Sequence, residues 1–255
     1  MKHVVMFSGG VGSWMTATRV AERFGTEDLT LLFADTKMED QDLYRFLDEA
    51  AAQVGGQLVN TAEGRDPWQV FFDKRFLGNT RIDPCSRVLK REHLRKWLDD
   101  HCDPADTTIY LGIDWSEEHR FERAKPYWAP WRIEAPLCDK PYLDKGQMIA
   151  ALGQFGIKPP RLYEMGFPHN NCGGFCIKAG QAHFKLLLEK LPDVYAYHEG
   201  REQELRAYLN KDVAILRDRT GGTTTPLTLK TFRERIQHGE SCDETEWGGC
   251  GCFSP

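Results

Sequence analysis

The chain has 255 residues, of which 41% are hydrophobic and 28% charged, and its formal net charge is -5. This length allows one substantial core, and the negative charge argues against a protein that binds nucleic acid over its whole surface. No apolar run approaches the roughly 18 residues needed to cross a bilayer, so we expect no membrane association. The strand-sized KHVVMF at the N-terminus enters a glycine-rich segment directly, which disfavours a signal peptide and predicts a cytoplasmic protein.

The first half of the chain alternates short apolar runs with amphipathic stretches. The apolar runs predict strands, at 3–7, 29–34, 57–61 and 107–113. A periodicity of about 3.6 residues predicts helices between them, at 14–24, 42–54 and 86–101. Strands that alternate with helices are typical of an open, mostly parallel sheet with helices on both faces. We therefore predict an α/β fold.

The second half is less regular. The stretch from Trp115 to Tyr142 is predicted as loop, because it is rich in proline and tryptophan. A helix is predicted at 145–156, helical segments up to about Asn210, a strand at 213–218 and a last helix at 227–237. The chain then ends in a polar, glycine-rich tail. We predict two parts, an α/β nucleotide-binding domain at 1–165 and a Cys-rich C-terminal region at 166–255 packed against it.

The segment FSGGVGS (7–13) joins the first predicted strand to the first helix. At such a junction several backbone N–H groups point in one direction, and the helix dipole adds partial positive charge. Glycines allow the backbone to curl around an anion, and Ser8 and Ser13 add hydroxyl donors. The segment matches neither G-x-G-x-x-G nor the Walker G-K-[ST] pattern. The alternative is a generic glycine turn in which Ser13 is an ordinary helix N-cap.

The loop resembles the pyrophosphate loop (PP-loop) of the N-type ATP pyrophosphatases, and further segments follow it in order. These are LLFADT (31–36), DPCSRVLKREHL (83–94), YLGIDWSEEHR (110–120), APL (135–137) and YEMGFPHNNCGGFC (163–176). Together they resemble the phosphoadenosine phosphosulfate reductase family of the adenine nucleotide α-hydrolase-like superfamily, over roughly residues 3 to 200. The resemblance implies a Rossmann-like fold with an adenine nucleotide lying across the carboxyl ends of the first two strands.

The resemblance also implies which residues form the site. Adenosine would lie against Met6, Phe7 and the backbone of 33–36, with phosphates over 8–13. The expected nucleotide-binding residues are Phe7, Ser8, Gly9, Gly10, Gly12, Ser13, Phe33, Ala34, Asp35, Thr36, Arg87, Gly112 and Asp114. The expected catalytic residues are Asp35, Lys90, Arg120 and Cys252. For the charged members of this set, surface ion pairing is the alternative.

Two features depart from the family pattern. ATP-cleaving relatives carry an aspartate where this chain has Gly12, so the expected Mg²⁺ needs another carboxylate, for which Asp35 is the candidate. Sulfonucleotide reductases end in a short tail whose single cysteine attacks sulfur. This chain ends in WGGCGCF, which has a similar Cys-Gly pair but carries a second cysteine and lacks the histidine of the family tail.

Five of the eight cysteines crowd the last third of the chain. Cys172 and Cys176 form one closely spaced pair, and Cys250 and Cys252 form another. Such pairs are typical metal ligands, and the spacing favours a [4Fe-4S] cluster over Zn²⁺, with Cys242 and Cys85 as further candidate ligands. One alternative is that the first pair consists of buried apolar residues; the other is that the second pair is redox-active.

These features lead to three hypotheses of function. The first is an enzyme that adenylylates an acceptor oxygen with ATP and delivers sulfur with the help of a cysteine-held cluster. The second is a sulfonucleotide reductase in which Cys250 or Cys252 attacks sulfur and a thioredoxin-like reductant resolves the intermediate. The third is a non-catalytic adenine-nucleotide sensor. The expected partners are the nucleotide and a sulfur donor or reductant, and a tRNA or DNA acceptor and a homodimer are left open.

Overall fold

The computed structural model describes residues 1–79, 82–219, 222–249 and 252–253. Its main sheet contains β1 (Lys2–Met6), β2 (Leu29–Ala34), β3 (Gln57–Thr61), β4 (Thr107–Tyr110) and β5 (Arg132–Glu134). All neighbouring strands are parallel, in the order β3-β2-β1-β4-β5. Val5 of β1 pairs with Leu31 on one side and with Tyr110 on the other, so β1 is central. The predicted parallel sheet is confirmed.

Ten α-helices are found in the described part of the chain: α1 (Val11–Phe24), α2 (Gln41–Val54), α3 (Pro67–Lys74), α4 (His93–His101), α5 (Glu118–Trp128), α6 (Lys145–Gln154), α7 (Arg161–Glu164), α8 (Gln181–Lys190), α9 (Pro192–Leu209) and α10 (Leu229–Gln237). A π-helical segment, Ser86–Glu92, leads into α4. Among the described residues, no helix is long and apolar enough to span a bilayer.

Alternate residues of the central strands pack against helices on opposite faces of the sheet. Val5 and Phe7 belong to a core formed with α1, α2 and α6. Val4 and Met6 belong to a second core formed with α4 and α5. All four side chains are at most 1% exposed, and burying a side chain of this kind stabilises the fold by about 1.5–3 kcal/mol. The predicted α/β fold, with helices on both faces, is confirmed.

A third core lies under the C-terminal region. It combines residues of α3, α8, α9 and α10 with a short antiparallel hairpin of β6 (Leu216–Asp218) and β7 (Thr225–Leu227). The carboxylate of Glu202 on α9 accepts hydrogen bonds from the backbone N–H groups of Ile215 (2.9 Å) and Leu229 (2.7 Å). Burial raises the pKa of Glu202 to about 7. Glu202 therefore connects three C-terminal elements from inside the core.

The structure differs from the sequence-based expectation between Trp115 and Tyr142. This stretch contains α5 and β5 instead of a continuous loop. The helix carries Pro126 inside it, and its inner face is fixed by the buried side chains of Ala124 and Trp128. The burial of these two residues in the core therefore outweighs the tendency of proline to interrupt a helix.

Candidate functional site

The glycine loop joins the end of β1 to the start of α1. Gly9 has a φ of 74°, a left-handed conformation that favours glycine, and Gly10 is the residue at which α1 is capped. The hydroxyl of Ser13 donates to the carbonyl of Gly10 at 2.8 Å, and that of Ser8 donates to Ser13 at 3.4 Å. The N-cap of α1 is Gly10, which has no side chain to cap the helix, and Ser13 lies inside the first turn. The interpretation of Ser13 as the N-cap is therefore wrong.

Three contacts hold the loop in place. The side-chain amide of Asn170 donates to the carbonyl of Gly9 at 2.8 Å, and the backbone N–H of Val11 donates to the hydroxyl of Tyr163 at 3.3 Å. On the third side the chain after β4 comes so close that a Cβ on Gly112 would lie 3.0 Å from the backbone nitrogen of Ser13. The loop is thus fixed by the segments that follow β4 and α6.

A cleft of about 410 Å³ opens in front of this loop. Its walls come from the loop, the segment after β4 (112–117), the start of α6 (143–145) and the turn at 168–171, with Cys252 and Phe253. The chain runs from β1 to β2 and β3 on one side of β1 and then crosses over to β4 on the other side, so the cleft lies at the topological switch point of the sheet. The cleft thus lies between the carboxyl ends of β1 and β4, and the expected nucleotide position across β1 and β2 stays a prediction.

The polar side chains directly after β2 are hydrogen-bonded to neighbouring residues of the same segment and of α2. The carboxylate of Asp35 accepts from the hydroxyl of Tyr44 at 3.0 Å and from the backbone N–H of Lys37 at 2.7 Å. The hydroxyl of Thr36 donates to the carboxylate of Glu39 at 2.8 Å. Asp35 does not line the cleft, so the expectation that it replaces the missing loop carboxylate has no support in this geometry.

The predicted site residues fall into two groups. Those that line the cleft are Ser8, Gly10, Gly12, Ser13, Gly112, Asp114, Arg120 and Cys252. Those outside its walls are Phe7, Gly9, Phe33, Ala34, Asp35, Thr36, Arg87 and Lys90. Phe7 and Phe33 are buried in the core beside α1 and α2, so their side chains do not face the cleft. Arg87 points to solvent, where it pairs with Glu92 at 2.6 Å.

Charged groups surround the middle of the cleft. Arg120 pairs with Glu117 at 2.6 Å, and Lys145 donates to a backbone carbonyl of the 168–171 turn. Burial lowers the pKa of His169 to about 3, and the positive charges of Lys145 and Arg120 contribute to this shift. His169 is therefore neutral at physiological pH. Carboxylates reach the cleft from Asp114, Glu117 and Asp144.

Glu39 is a residue that sequence reasoning missed. Its carboxylate lies 3.7 Å from the ammonium of Lys90, and it accepts hydrogen bonds from Thr36 and from the backbone N–H of Cys172. Lys90 in turn lies 3.7 Å from the sulfur of Cys252. In the sequence, Glu39 is recognisable only as an acidic residue shortly after β2. Acidic residues are common at the start of surface helices, so this position does not indicate a functional role.

A second, smaller cavity shares a wall with the cleft. Four cysteines line it: Cys85, Cys172, Cys176 and Cys252. Its other walls come from Pro67, Ser86, His169, Asn171, Phe175, Ile177 and His183. Of the candidate ligands, Cys242 does not line this cavity, and Cys250 lies outside the described residues. Among the residues that the structure describes, no three His, Cys, Asp or Glu side chains are placed to hold a single metal ion.

The thiols of the cavity are poorly solvated. Burial raises the pKa of Cys85 and of Cys176 to about 12, and it raises that of Cys172 well above its usual value. Lys90 is the positive charge that partly opposes this effect in all three cases. A cationic centre would favour the thiolate forms. Four thiols with no carboxylate in the cavity wall are a donor set that fits an iron–sulfur cluster.

The tail reaches the cavity by close backbone contacts. The N–H of Gly180 donates to the carbonyl of Trp247 at 3.2 Å, and that of Ala182 donates to Glu246 at 3.1 Å. A Cβ on Gly248 would lie 2.2 Å from the carbonyl oxygen of Lys178, so only glycine permits this approach. The tail therefore packs through its own backbone and places Cys252 between the cleft and the cavity.

Comparison with known proteins identifies one family model and a number of solved structures of similar fold. Residues 2–135 match the family model described as the phosphoadenosine phosphosulfate reductase domain. The chain is similar to the phosphoadenylyl-sulfate (PAPS) reductase from Candida auris in its phosphate complex, with 16% identity over 66% of this chain and 79% of that chain, and a TM-score of 0.46. It is also similar to the NH3-dependent NAD synthetase from Campylobacter jejuni in complex with nitrate, with 16% identity over 82% and 86% of the two chains, and a TM-score of 0.42. No curated protein matches the chain.

Proposed function

The chain belongs to the phosphoadenosine phosphosulfate reductase domain family, and from this premise we propose that it is an ATP-dependent sulfurtransferase. In the proposed reaction ATP lies in the cleft, and an acceptor oxygen attacks its α-phosphorus while the bond to pyrophosphate breaks. A hydrosulfide then attacks the activated carbon of the acceptor. AMP leaves with the former acceptor oxygen, so no external reductant is consumed.

The glycine loop is the proposed phosphate site. Backbone N–H groups of the loop and the dipole of α1 favour negative charge in front of Gly10 and Gly12. The side chains of Arg120 and Lys145 also line the cleft, where their positive charge would stabilise the negative charge that grows on the phosphates during the reaction. Asp114 and Glu117 are the carboxylates that would hold Mg²⁺, because Gly12 supplies none.

The single observation that carries the proposal is the wall shared by the two cavities. Cys252, His169 and Asn171 line both the nucleotide cleft and the cysteine cavity. A [4Fe-4S] cluster held by cysteines of this cavity would present sulfur to the activated acceptor.

A reductase is the second candidate, and the position of Cys252 favours it. Its sulfur faces the cleft and lies 3.7 Å from the ammonium of Lys90, which stabilises a thiolate. In this reaction the thiolate would attack the sulfur of a sulfonucleotide, and the S–O bond to the nucleotide would break. A dithiol protein such as a thioredoxin would then release sulfite and become a disulfide.

The two candidates differ in what they release. We would purify the protein without oxygen, measure its iron and acid-labile sulfide, and incubate it with ATP and candidate tRNA, DNA or small-molecule acceptors. Pyrophosphate release supports the sulfurtransferase. Sulfite release from a sulfonucleotide with thioredoxin, abolished in Cys252→Ser, supports the reductase instead. Nucleotide binding with neither product would overturn both and leave the nucleotide sensor.

We also propose that the chain consists of two parts, a nucleotide-binding part at 1–165 and a Cys-rich part at 166–255. The nucleotide loop lies in the first part, whereas Cys172, Cys176 and Cys252 lie in the second. The shared wall between the cavities is consistent with a reaction that needs both parts. Cys85 is the exception, because it reaches the cysteine cavity from the first part.

A further inference from the structure

Two large aromatic side chains lie side by side at the rim of the cleft. Trp115 is 46% exposed and lines the cleft, and Tyr142 is 49% exposed and directly precedes the cleft residue Leu143. Their ring centroids are 5.6 Å apart, with an angle of 36° between the ring planes. Neither ring belongs to the three hydrophobic cores formed by the described residues. Exposed aromatic surface that borders a cleft is typical of a ligand-binding site.

The aromatic pair is close to the glycine loop. A Cβ on Gly112 would lie 3.0 Å from the backbone nitrogen of Ser13, so the two segments are in contact there. Trp115 follows Gly112 by three residues, which span at most about 11 Å even when fully extended. Trp115 also lines the same cleft as Gly12 and Ser13. A planar ring stacked on Trp115 would therefore share the cleft with phosphates bound at the loop.

The rim does not offer a row of cations to a long polyanion. In the described part of the chain, Arg120 and Lys145 are the Arg and Lys side chains that line the cleft. Arg120 pairs with Glu117 at 2.6 Å, and Lys145 donates to the carbonyl of Pro168. A ligand at the rim would thus be held mainly by its contact with the rings, and only weakly through several phosphates.

The proposed reaction restricts the chemistry of the second substrate, because the acceptor oxygen is bonded to the carbon that finally carries sulfur. A ring carbonyl next to a ring N–H meets this requirement. Its oxygen attacks the α-phosphorus while the N–H loses its proton and pyrophosphate leaves. Hydrosulfide then attacks the carbon, AMP leaves with the oxygen, and the hydrosulfide proton restores the N–H. Bases such as uracil carry this group on a flat ring, and flat rings stack on Trp and Tyr.

We infer that Trp115 and Tyr142 form the acceptor site of the proposed sulfurtransferase, and that the acceptor is a nucleobase with a ring carbonyl. This inference rests on the proposed function. Pockets usually bury roughly 70–90% of a small ligand, whereas these rings are half exposed, which suits a second substrate that enters and leaves while ATP stays bound. A free nucleoside and an unpaired base of a strand present the same ring, and the experiment distinguishes them.

The test measures the binding of uridine and of a single-stranded uridylate hexamer to the full chain by calorimetry, with a non-hydrolysable ATP analogue bound. Trp115→Ala should weaken the binding of the tighter probe by about 5- to 150-fold, the range for losing one base-stacking contact. Tyr142→Ala should weaken it in the same direction. Trp115→Phe keeps a ring and should stay within about threefold of wild type. Equal affinity for the two probes indicates a nucleoside acceptor, and tighter binding of the hexamer indicates a base within a strand.

Tyr197→Ala is the matched control for removing an exposed aromatic ring. Tyr197 is 50% exposed on α9 and does not line the cleft, so this variant should bind both probes like wild type. Raising the salt concentration from about 50 to 200 mM should weaken the binding of the hexamer by at most about fourfold, as expected for a single phosphate contact.

Four results would overturn the acceptor site. These are no binding of either probe to wild type, unchanged affinity in Trp115→Ala, a salt dependence of about a hundredfold or more, and a loss in Trp115→Ala of affinity for the ATP analogue alone. The last result would make the pair a platform for adenine. In each case, pyrophosphate release with a different acceptor would still support the sulfurtransferase. Conversely, binding of a base that depends on Trp115 without pyrophosphate release from ATP would overturn the proposed function.

Discussion

The sulfur of Cys252 lies 3.7 Å from the ammonium of Lys90, although 162 residues separate them in sequence. The same ammonium lies 3.7 Å from the carboxylate of Glu39, and Lys90 is only 3% exposed. One buried cation is therefore shared between a carboxylate in the loop between β2 and α2 and a thiol at the wall of the cleft. Lys90 therefore links the C-terminal tail to the segment that follows β2.

Lys90→Met should slow the alkylation of Cys252 by iodoacetamide at neutral pH by roughly tenfold or more, because a positive charge about 4 Å away stabilises the thiolate. Site-resolved mass spectrometry of the reduced, metal-free protein measures the rate. Cys102, which is half-buried after α4, serves as an internal control whose rate should not change. An unaltered rate at Cys252 would show that Lys90 does not activate it.

Glu39 and Lys90 should be coupled in stability. Glu39→Gln leaves the ammonium buried without its carboxylate, and we expect the free energy of unfolding to fall by about 3 kcal/mol. The double variant Glu39→Gln/Lys90→Met removes both charges and should cost less than the sum of the two single variants. Urea denaturation of the four proteins gives the coupling energy. Strictly additive effects would mean that the pair does not interact.

Two glycines of the site should respond in opposite ways to alanine. A Cβ on Gly112 meets the backbone of Ser13 at 3.0 Å, so Gly112→Ala should lower the free energy of unfolding by roughly 1–3 kcal/mol. A Cβ on Gly12 comes no closer than 3.5 Å to the carbonyl oxygen of Gly112, and Gly12 lies in α1. Gly12→Ala should therefore be neutral or stabilising, by at most about 1 kcal/mol. Thermal unfolding distinguishes the two, and equal effects would contradict the close approach of the backbones.

Gly12→Asp adds the carboxylate that ATP-cleaving relatives carry, at a position with room for a side chain. We expect the affinity for ATP to rise roughly tenfold with Mg²⁺ present and to fall without it, because the new carboxylate binds the cation but repels free phosphate. Calorimetric titration in both conditions measures the change. Gly12→Asn is the matched uncharged control, and an Asn variant that behaves like the Asp variant would exclude a role for the charge.

Glu202 should make stability fall as the pH rises. Its pKa is raised from an ordinary value of 4.5 to about 7 in the folded protein, so the folded state holds the proton more tightly between these two pH values. The free energy of unfolding of wild type therefore decreases from pH 4.5 to 7, by at most about 3 kcal/mol from this group. Glu202→Gln removes the titration. Relative to wild type, the variant should gain stability over this range in urea unfolding, and a constant difference would contradict the raised pKa.

Periodicity in the sequence was enough to predict the sheet and the loop. The apolar runs at 3–7 and 29–34 are strands because their residues are buried on both faces, a pattern that reports burial directly. The glycines of 7–13 were likewise informative, because the left-handed backbone of Gly9 is a local conformation that favours glycine. By contrast, β5 has three residues at the edge of the sheet, and so short a segment carries no periodicity.

The composition of the cysteine cavity could not be predicted in the same way. Cys85 is the last residue before the π-helical segment, and it reaches Cys172 and Cys176 only because the third core joins α3 to the C-terminal helices. Cys242 is closer to the tail pair in sequence but does not line the cavity. Glu39, His183 and the switch point between β1 and β4 likewise depend on contacts between distant segments, for which spacing gives no signal.

The contacts that hold the glycine loop have a consequence for ligand affinity. The carbonyl of Gly9 is bound by Asn170, the N–H of Val11 by Tyr163, and the backbone of Ser13 rests against Gly112. A free loop would lose conformational entropy on closing around a phosphate, at about 1–2 kcal/mol per ordered residue. Here that entropy is already lost when the chain folds. The loop is preorganised, so more of its interaction energy with a phosphate is retained as affinity.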